Sequence, residues 1–186
     1  SDDLKCAIAE ARCFRAQSYF RLFRIYDRIW LNTEPVTADN VNKAREYHAA
    51  TAAEVYDLLY SDLEYAADNL PWKSYEPGRF NQAVARHILA KVALCKKDYK
   101  TALDQIDAIE ESGQFSLLSE PSAVFNAADL NHSESLMTQQ WSDQPGGNFS
   151  AANPKGNQFC ALFIAQYRTA LGGGDDVSCS AENWGY

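Results

Sequence analysis

Positive charge is scarce in this chain: 17 Lys and Arg stand against 25 Asp and Glu, a formal net charge of −8. That balance argues against nucleic acid or an anionic membrane surface as the main partner, since both need clustered Lys and Arg. Long apolar runs are missing too, and none approaches the roughly 18–20 residues of a membrane-spanning helix. The opening residues SDDLKC have neither the basic nor the apolar region of a signal peptide. No CxxC pair or Cys/His cluster appears among the five cysteines, which argues against a thiolate metal site. Catalytic signatures are equally absent: no GxSxG, no HExxH and no phosphate loop. The three histidines, His48, His87 and His132, are far apart in sequence.

What is present is helical periodicity. Residues 78–113, GRFNQAVARHILAKVALCKKDYKTALDQIDAIEESG, read as two antiparallel helices joined by a tight turn. Asn81 is a candidate N-cap for a helix over 82–96 with the stripe Val84, Ile88 or Leu89, Val92 and Cys95. Asp98 is a candidate cap for a helix over 99–111, with Ala102, Ile106 and Ile109 inward and Gly113 as a left-handed stop. Gly78 to Glu111 spans the tetratricopeptide length. Ala90, Leu94, Tyr99 and Ala102 follow that pattern, with Tyr99 expected to fill the gap at the turn. A unit of this kind cannot bury its stripe alone and must stack on neighbours.

An earlier, degenerate unit precedes it. A helix over 4–29 carries the stripe Ala9, Cys13, Ala16, Phe20 and Phe23, with Gln17, Arg21, Arg24 and Arg28 on another face, solvated or acid-paired. A loop of about twenty residues follows, long for a bundle connection. Thr51 to Glu54 forms a capping box. It opens a helix with Val55, Leu59, Leu63, Ala66 and Leu70 inward, Glu54, Asp57, Ser61, Glu64 and Asp68 outward, and Pro71 as the stop. After Gly113 the period is lost. QFSLLS and SESLMTQQWS contain candidate strands, 158–171 a candidate helix, and PGGNFSAANPKGN is loop by composition. The expected fold is mainly α: tetratricopeptide-like hairpins over 1–113, then a loop-rich, partly β segment over 114–186 of the same domain.

Cys6, Cys13 and Cys95 are expected to be small buried hydrophobes. Cys160 and Cys179 lie in loop-rich sequence, and their pairing stays open. Asp175 and Asp176 after three glycines lack the alternating oxygen ligands of a calcium loop, so a solvated acidic turn is expected and no metal or cofactor is assigned.

The residues AEARCFRAQSYFRLFRIYDRIWLNTEPVT (9–37) are similar to the opening helix-and-loop signature of the RagB/SusD family of nutrient-uptake lipoproteins. EVYDLLYSDLEYAADNLP, GRFNQAVARHILAKVALCKKDYKTALDQID, SGQFSLL, VF and NHSESLMTQQ follow in the family's order and spacing, and the terminal NWGY resembles a later segment. The resemblance implies a surface-exposed lipoprotein of the outer membrane. Such a protein binds glycan without catalysis and delivers it to a TonB-dependent, SusC-like transporter. It also implies that this chain is a portion of a longer protein whose lipid anchor lies elsewhere, Cys6 being inside the helix signature.

Sugar recognition needs flat apolar faces for pyranose C–H groups and amides or carboxylates for hydroxyls. The ligand candidates are therefore Trp141, Trp72, Asn148, Asn157 and Tyr167, with Trp30, Trp184, Asn153 and Gln158 behind them. Against each tryptophan stands the ordinary alternative of packing under its own loop. The competing functional reading is a tetratricopeptide scaffold that takes a protein or peptide partner in its concave groove. A glycan-degrading enzyme is disfavoured, because the adjacent carboxylates Asp175–Asp176 and Glu110–Glu111 cannot provide the fixed separation a glycosidase needs.

Overall fold

The computed structural model describes residues 2–26, 28–42, 47–74, 76–125 and 131–138. They contain four α-helices, α1 (Asp2–Ile25), α2 (Ala52–Asn69), α3 (Gln82–Lys96) and α4 (Tyr99–Glu111), and a 3-10 turn over Pro121–Phe125. Each helix packs chiefly on its sequence neighbours, with a short contact between α1 and α3. The side-chain pairings give the directions. Arg12 meets Tyr65, Arg15 meets Asp62 and Phe23 meets Tyr56, so α1 and α2 run antiparallel. Arg86 of α3 bonds Gln105 of α4, as an antiparallel hairpin requires. The expected helical scaffold is thus the observed one.

Local signals explain the helix ends. The Thr51 hydroxyl accepts the Glu54 amide at 3.3 Å while the Glu54 carboxylate accepts the Thr51 amide at 2.7 Å, the two halves of the capping box. Asn81 Oδ1 accepts from the Val84 amide at 2.9 Å, and Asp98 Oδ1 from the Thr101 amide at 3.2 Å. Gly113 has φ +62°, the left-handed stop. Lys97, whose role the sequence did not signal, also takes a left-handed conformation at φ 66° and closes α3. Its amide and that of Asp98 cap the last carbonyls of α3, which offsets the steric cost of a side chain there.

α1 ends four residues earlier than its pattern predicts. On a continued helix Ile29 would follow Leu22, Ile25 and Tyr26, all of them exposed. Leaving the helix turns Ile29 inward, where it is buried and its carbonyl accepts the Ala50 amide at 2.8 Å. The Tyr19 hydroxyl fastens the same exit. It accepts from the Asn32 amide at 2.8 Å and donates to the Asn32 carbonyl at 3.1 Å.

The core joins α1, α2 and α3. Ala9, Cys13, Ala16 and Phe20 of α1 meet Val55, Leu59, Leu63 and Ala66 of α2 and Ala85, Leu89 and Val92 of α3. Ala83, Ala90 and Ala93 of α3 are buried outside that cluster, as are Ala102 and Ile109 of α4, so α3 carries two seams. Small residues on the second seam let two backbones approach closely.

Three expectations are corrected. Cys95 is exposed and Cys6 only half-buried, because the buried sectors of α3 run through Val92 and Ala93, and Cys6 lies near the start of α1. Tyr99 is 61% exposed and does not fill the turn; with Leu94 and Leu103 it lies on the side of the hairpin away from the buried seam. QFSLLS forms no strand. It runs irregularly and meets the segment 131–138 through the Ser116 amide, which donates to the Ser133 carbonyl at 3.1 Å. The candidate helix over 158–171, the loop residues before it and the Cys160–Cys179 pair lie outside the described residues.

Candidate functional site

Of the five leading ligand candidates, only Trp72 lies within the described residues; Trp141, Asn148, Asn157 and Tyr167 lie outside them. Trp72 follows the helix stop Pro71 and is half-buried, with the Arg86 guanidinium 5.5 Å from its ring centre. That guanidinium is itself tied to α4, Nη1 donating to Gln105 Oε1 at 2.8 Å. Trp72 therefore packs its link onto the second hairpin, the ordinary fate of a loop tryptophan. Trp30 is also half-buried, edge-on to Tyr47 at 4.6 Å between ring centres, while Tyr47 is 72% exposed.

The structure brings together a different set. The link before α3, the chain after α4 and the segment 131–138 enclose a hollow of about 400 Å³. Its wall offers the kinds of group that bind sugar hydroxyls: the ammonium of Lys73, the amide of Gln114 and the imidazole of His132. Phe115 and Met137 supply apolar surface. Asn81 builds the wall rather than lining it passively. One end of its amide caps α3, and Nδ2 donates to the Leu136 carbonyl at 2.7 Å, pinning 131–138 to the scaffold. The Ser133 hydroxyl donates to the Ser116 carbonyl at 3.1 Å, and Ser135 shares a 2.7 Å bond with Thr138. The Leu118 amide donates to Glu134 at 3.1 Å. His132 is less satisfied: its Nδ1 is buried with no partner among the described residues. A buried polar atom left unpaired is costly, so this nitrogen is suited to a ligand or water.

Among the described residues the hollow shows no hydrogen-bonded nucleophile–base pair. The Ser133 hydroxyl is engaged with backbone and those of Ser135 and Thr138 with each other, and among the described residues no imidazole is hydrogen-bonded to a hydroxyl of the wall. No group of three metal-ligating side chains occurs among the described residues. Cys13 is no nucleophile either. Burial, reinforced by Asp62 and Glu10, pushes its thiol up to about 12, so it stays protonated.

A charged cluster that no sequence motif announces sits inside the scaffold. Asp62 is 1% exposed and accepts both Nε and Nη2 of Arg15 at 2.7 Å. Arg12 lies 4.0 Å away and stacks on the Tyr65 ring at 4.2 Å. Glu10 is paired with Arg79 of the link before α3. The spacing did hold a signal, since Asp62 lies three and four residues from Leu59 and Ala66 on the buried stripe.

Comparison with known proteins places these features. A SusD-like family, described as starch-binding and associating with the outer membrane, matches residues 1–94. A SusD-like protein of Bacteroides ovatus is 30% identical over 146 residues, 73% of this chain and 26% of that one. A structure solved with a xylogluco-oligosaccharide superposes with a TM-score of 0.66 at 28% identity, covering 77% of this chain and 30% of that one. A laminarin-binding SusD-like protein gives a TM-score of 0.65 at 24% identity, covering 74% of this chain and 31% of its own length, a likeness of fold. The chain thus spans about a quarter to a third of these proteins.

Proposed function

Because the chain belongs to the SusD-like family, we propose that it is a portion of a non-catalytic glycan-binding protein at the outer-membrane surface, one that hands oligosaccharide to a TonB-dependent transporter. The helices form a stiff back, and the irregular segments present the ligand-binding groups. The hollow at His132 is one such seat: amide, ammonium and imidazole groups would meet sugar hydroxyls, and Phe115 a pyranose face. Trp141, Asn148, Asn157 and Tyr167 remain in the proposal as further contacts, on the chemistry of their side chains alone.

The observation that carries this reading is the family match through α1, α2 and most of α3, joined to a 28% identical relative solved with a xylogluco-oligosaccharide. No helix of the described residues is long and apolar enough to cross a membrane.

Affinity electrophoresis against xyloglucan, laminarin, starch and other soluble polysaccharides tests the proposal. Retardation by at least one of them, reduced in Phe115→Ala and in Trp141→Ala, is the expected outcome. Mobility unchanged by every polysaccharide contradicts glycan capture, and release of new reducing ends from the retarding polysaccharide contradicts the non-catalytic part.

A further inference from the structure

A second concavity lies between α1 and α3, the first helices of the two hairpins. It has a volume of about 590 Å³ and shares Ser135, Leu136 and Met137 with the rim of the first. Its charged lining is basic. Arg21 and Arg24 reach it from α1, His87 and Lys91 from α3, and among the described residues no aspartate or glutamate lines it. In a chain with a net charge of −8 this is a local reversal of sign.

None of Arg21, Arg24 and Lys91 makes an ion pair with a described residue, whereas Arg15 and Arg79 are both engaged with carboxylates. Arg24 rests on the Phe20 ring at 4.6 Å and so is held over the groove rather than trailing in solvent. Burial and then the neighbouring Lys91 push the His87 imidazole below its ordinary range, so at neutral pH the charge comes from the two arginines and the lysine. Between them the floor is apolar, through Val84, Ile88, Leu136 and Met137.

We infer that this groove docks an acidic polypeptide segment, carboxylates against Arg21, Arg24 and Lys91 and a bulky apolar side chain on the floor between them. Charge complementarity selects an acidic partner. The floor selects polypeptide over glycan: among the described lining residues the one phenyl, phenol or indole ring is Phe20, which is only 5% exposed and lies beneath Arg24, so no such face is open to a pyranose. A basic rim around an aliphatic floor matches an amphipathic acidic helix or strand, read through alternate charged and apolar anchors. The inference stands apart from the glycan reading: the two concavities share Ser135, Leu136 and Met137, but Arg21, Arg24 and Lys91 line only the second, and the ligand is different.

Fluorescence anisotropy with the 186-residue chain and a short labelled peptide of Asp, Glu and Leu tests it. Saturable binding that weakens as salt rises is expected, with a loss of about tenfold or more in the paired reversal Arg21→Glu/Lys91→Glu. Both positions are exposed, and circular dichroism checks that the helices persist. The neutral pair Arg21→Gln/Lys91→Gln gives a smaller loss in the same direction. Replacing Leu by Ser in the peptide weakens binding at constant charge. The inference is overturned by absence of binding, by binding that the reversal leaves unchanged, by indifference to the Leu-to-Ser change, or by equal displacement with polygalacturonate or dextran sulfate, which would make the groove a general anion seat.

Discussion

The two hairpins solve the same problem by different means. In the second, α3 and α4 are joined by Lys97 and Asp98 alone, so the connection itself dictates how the helices align. What remains is to bring them close, and alanines on the seam do that. In the first, residues 26–51 separate the helices, and so long a connection leaves their register open. There the bidentate bridge from Arg15 to buried Asp62, with Arg12 over Tyr65, pins α1 against α2 at one setting. The contrast teaches that a specific polar contact is most useful where the chain's connectivity supplies least information. Buried ion pairs serve this registering role better than they serve stability.

Removing the bridge strains that contrast hardest. Asp62→Ala leaves Arg15 beside an apolar gap and is expected to cost about 3 kcal/mol, the low end for a broken buried pair because the arginine is partly solvated. Urea unfolding monitored by circular dichroism measures it. The double variant Arg15→Met/Asp62→Leu is expected to recover most of the loss; failure to recover would mean that the bridge contributes more than register.

The second hairpin responds to bulk instead. Ala93 is 0% exposed, and Ala93→Leu is expected to cost about 2 kcal/mol by forcing the helices apart. A stability unchanged within about 0.5 kcal/mol would show that the seam has room and is not the tight contact described here.

The smallest effect concerns the turn between α3 and α4. Hydrogen bonds from the Thr101 side chain and amide, and then from Tyr60, hold the Asp98 carboxyl below its ordinary range. Its folded value lies under its unfolded value of about 3.9, so its charge supports the folded state fully above that value. The support is lost as pH falls through the lower, folded value. Asn caps a helix without that charge, so the melting temperatures of the parent and Asp98→Asn are expected to differ near neutrality and converge in acid. A gap that stays constant with pH would remove the carboxylate from the account.

Most of this scaffold was legible in the sequence, and the exceptions share a cause. The limits of α2, α3 and α4 follow from residues within one turn of each end: Thr51 and Glu54, Asn81, Asp98, Gly113. The early end of α1 depends on Ile29 finding a place across the core, and the exposure of Tyr99 depends on what packs beyond α4; neither is a local property. Asp62 broke the apolar spacing of α2, yet its partner is 47 residues away. The hollow was less legible still. Its wall comes from the segments around Asn81, Phe115 and His132, each ordinary alone, while the tryptophans that drew attention are marked by residue type and not by position. Trp72 shows the difficulty: its ring lies 5.5 Å from the Arg86 guanidinium, a neighbour 14 residues away that its own loop does not announce.

Titration calorimetry with oligosaccharides of whichever polysaccharide retards the chain, on the parent and on Phe115→Ala and His132→Ala, tests the central claim most directly. Saturable heat in the parent that weakens in both variants, with their helical content intact, is the predicted result. A parent that gives no heat, or variants that bind as the parent does, would contradict a glycan seat at the His132 hollow.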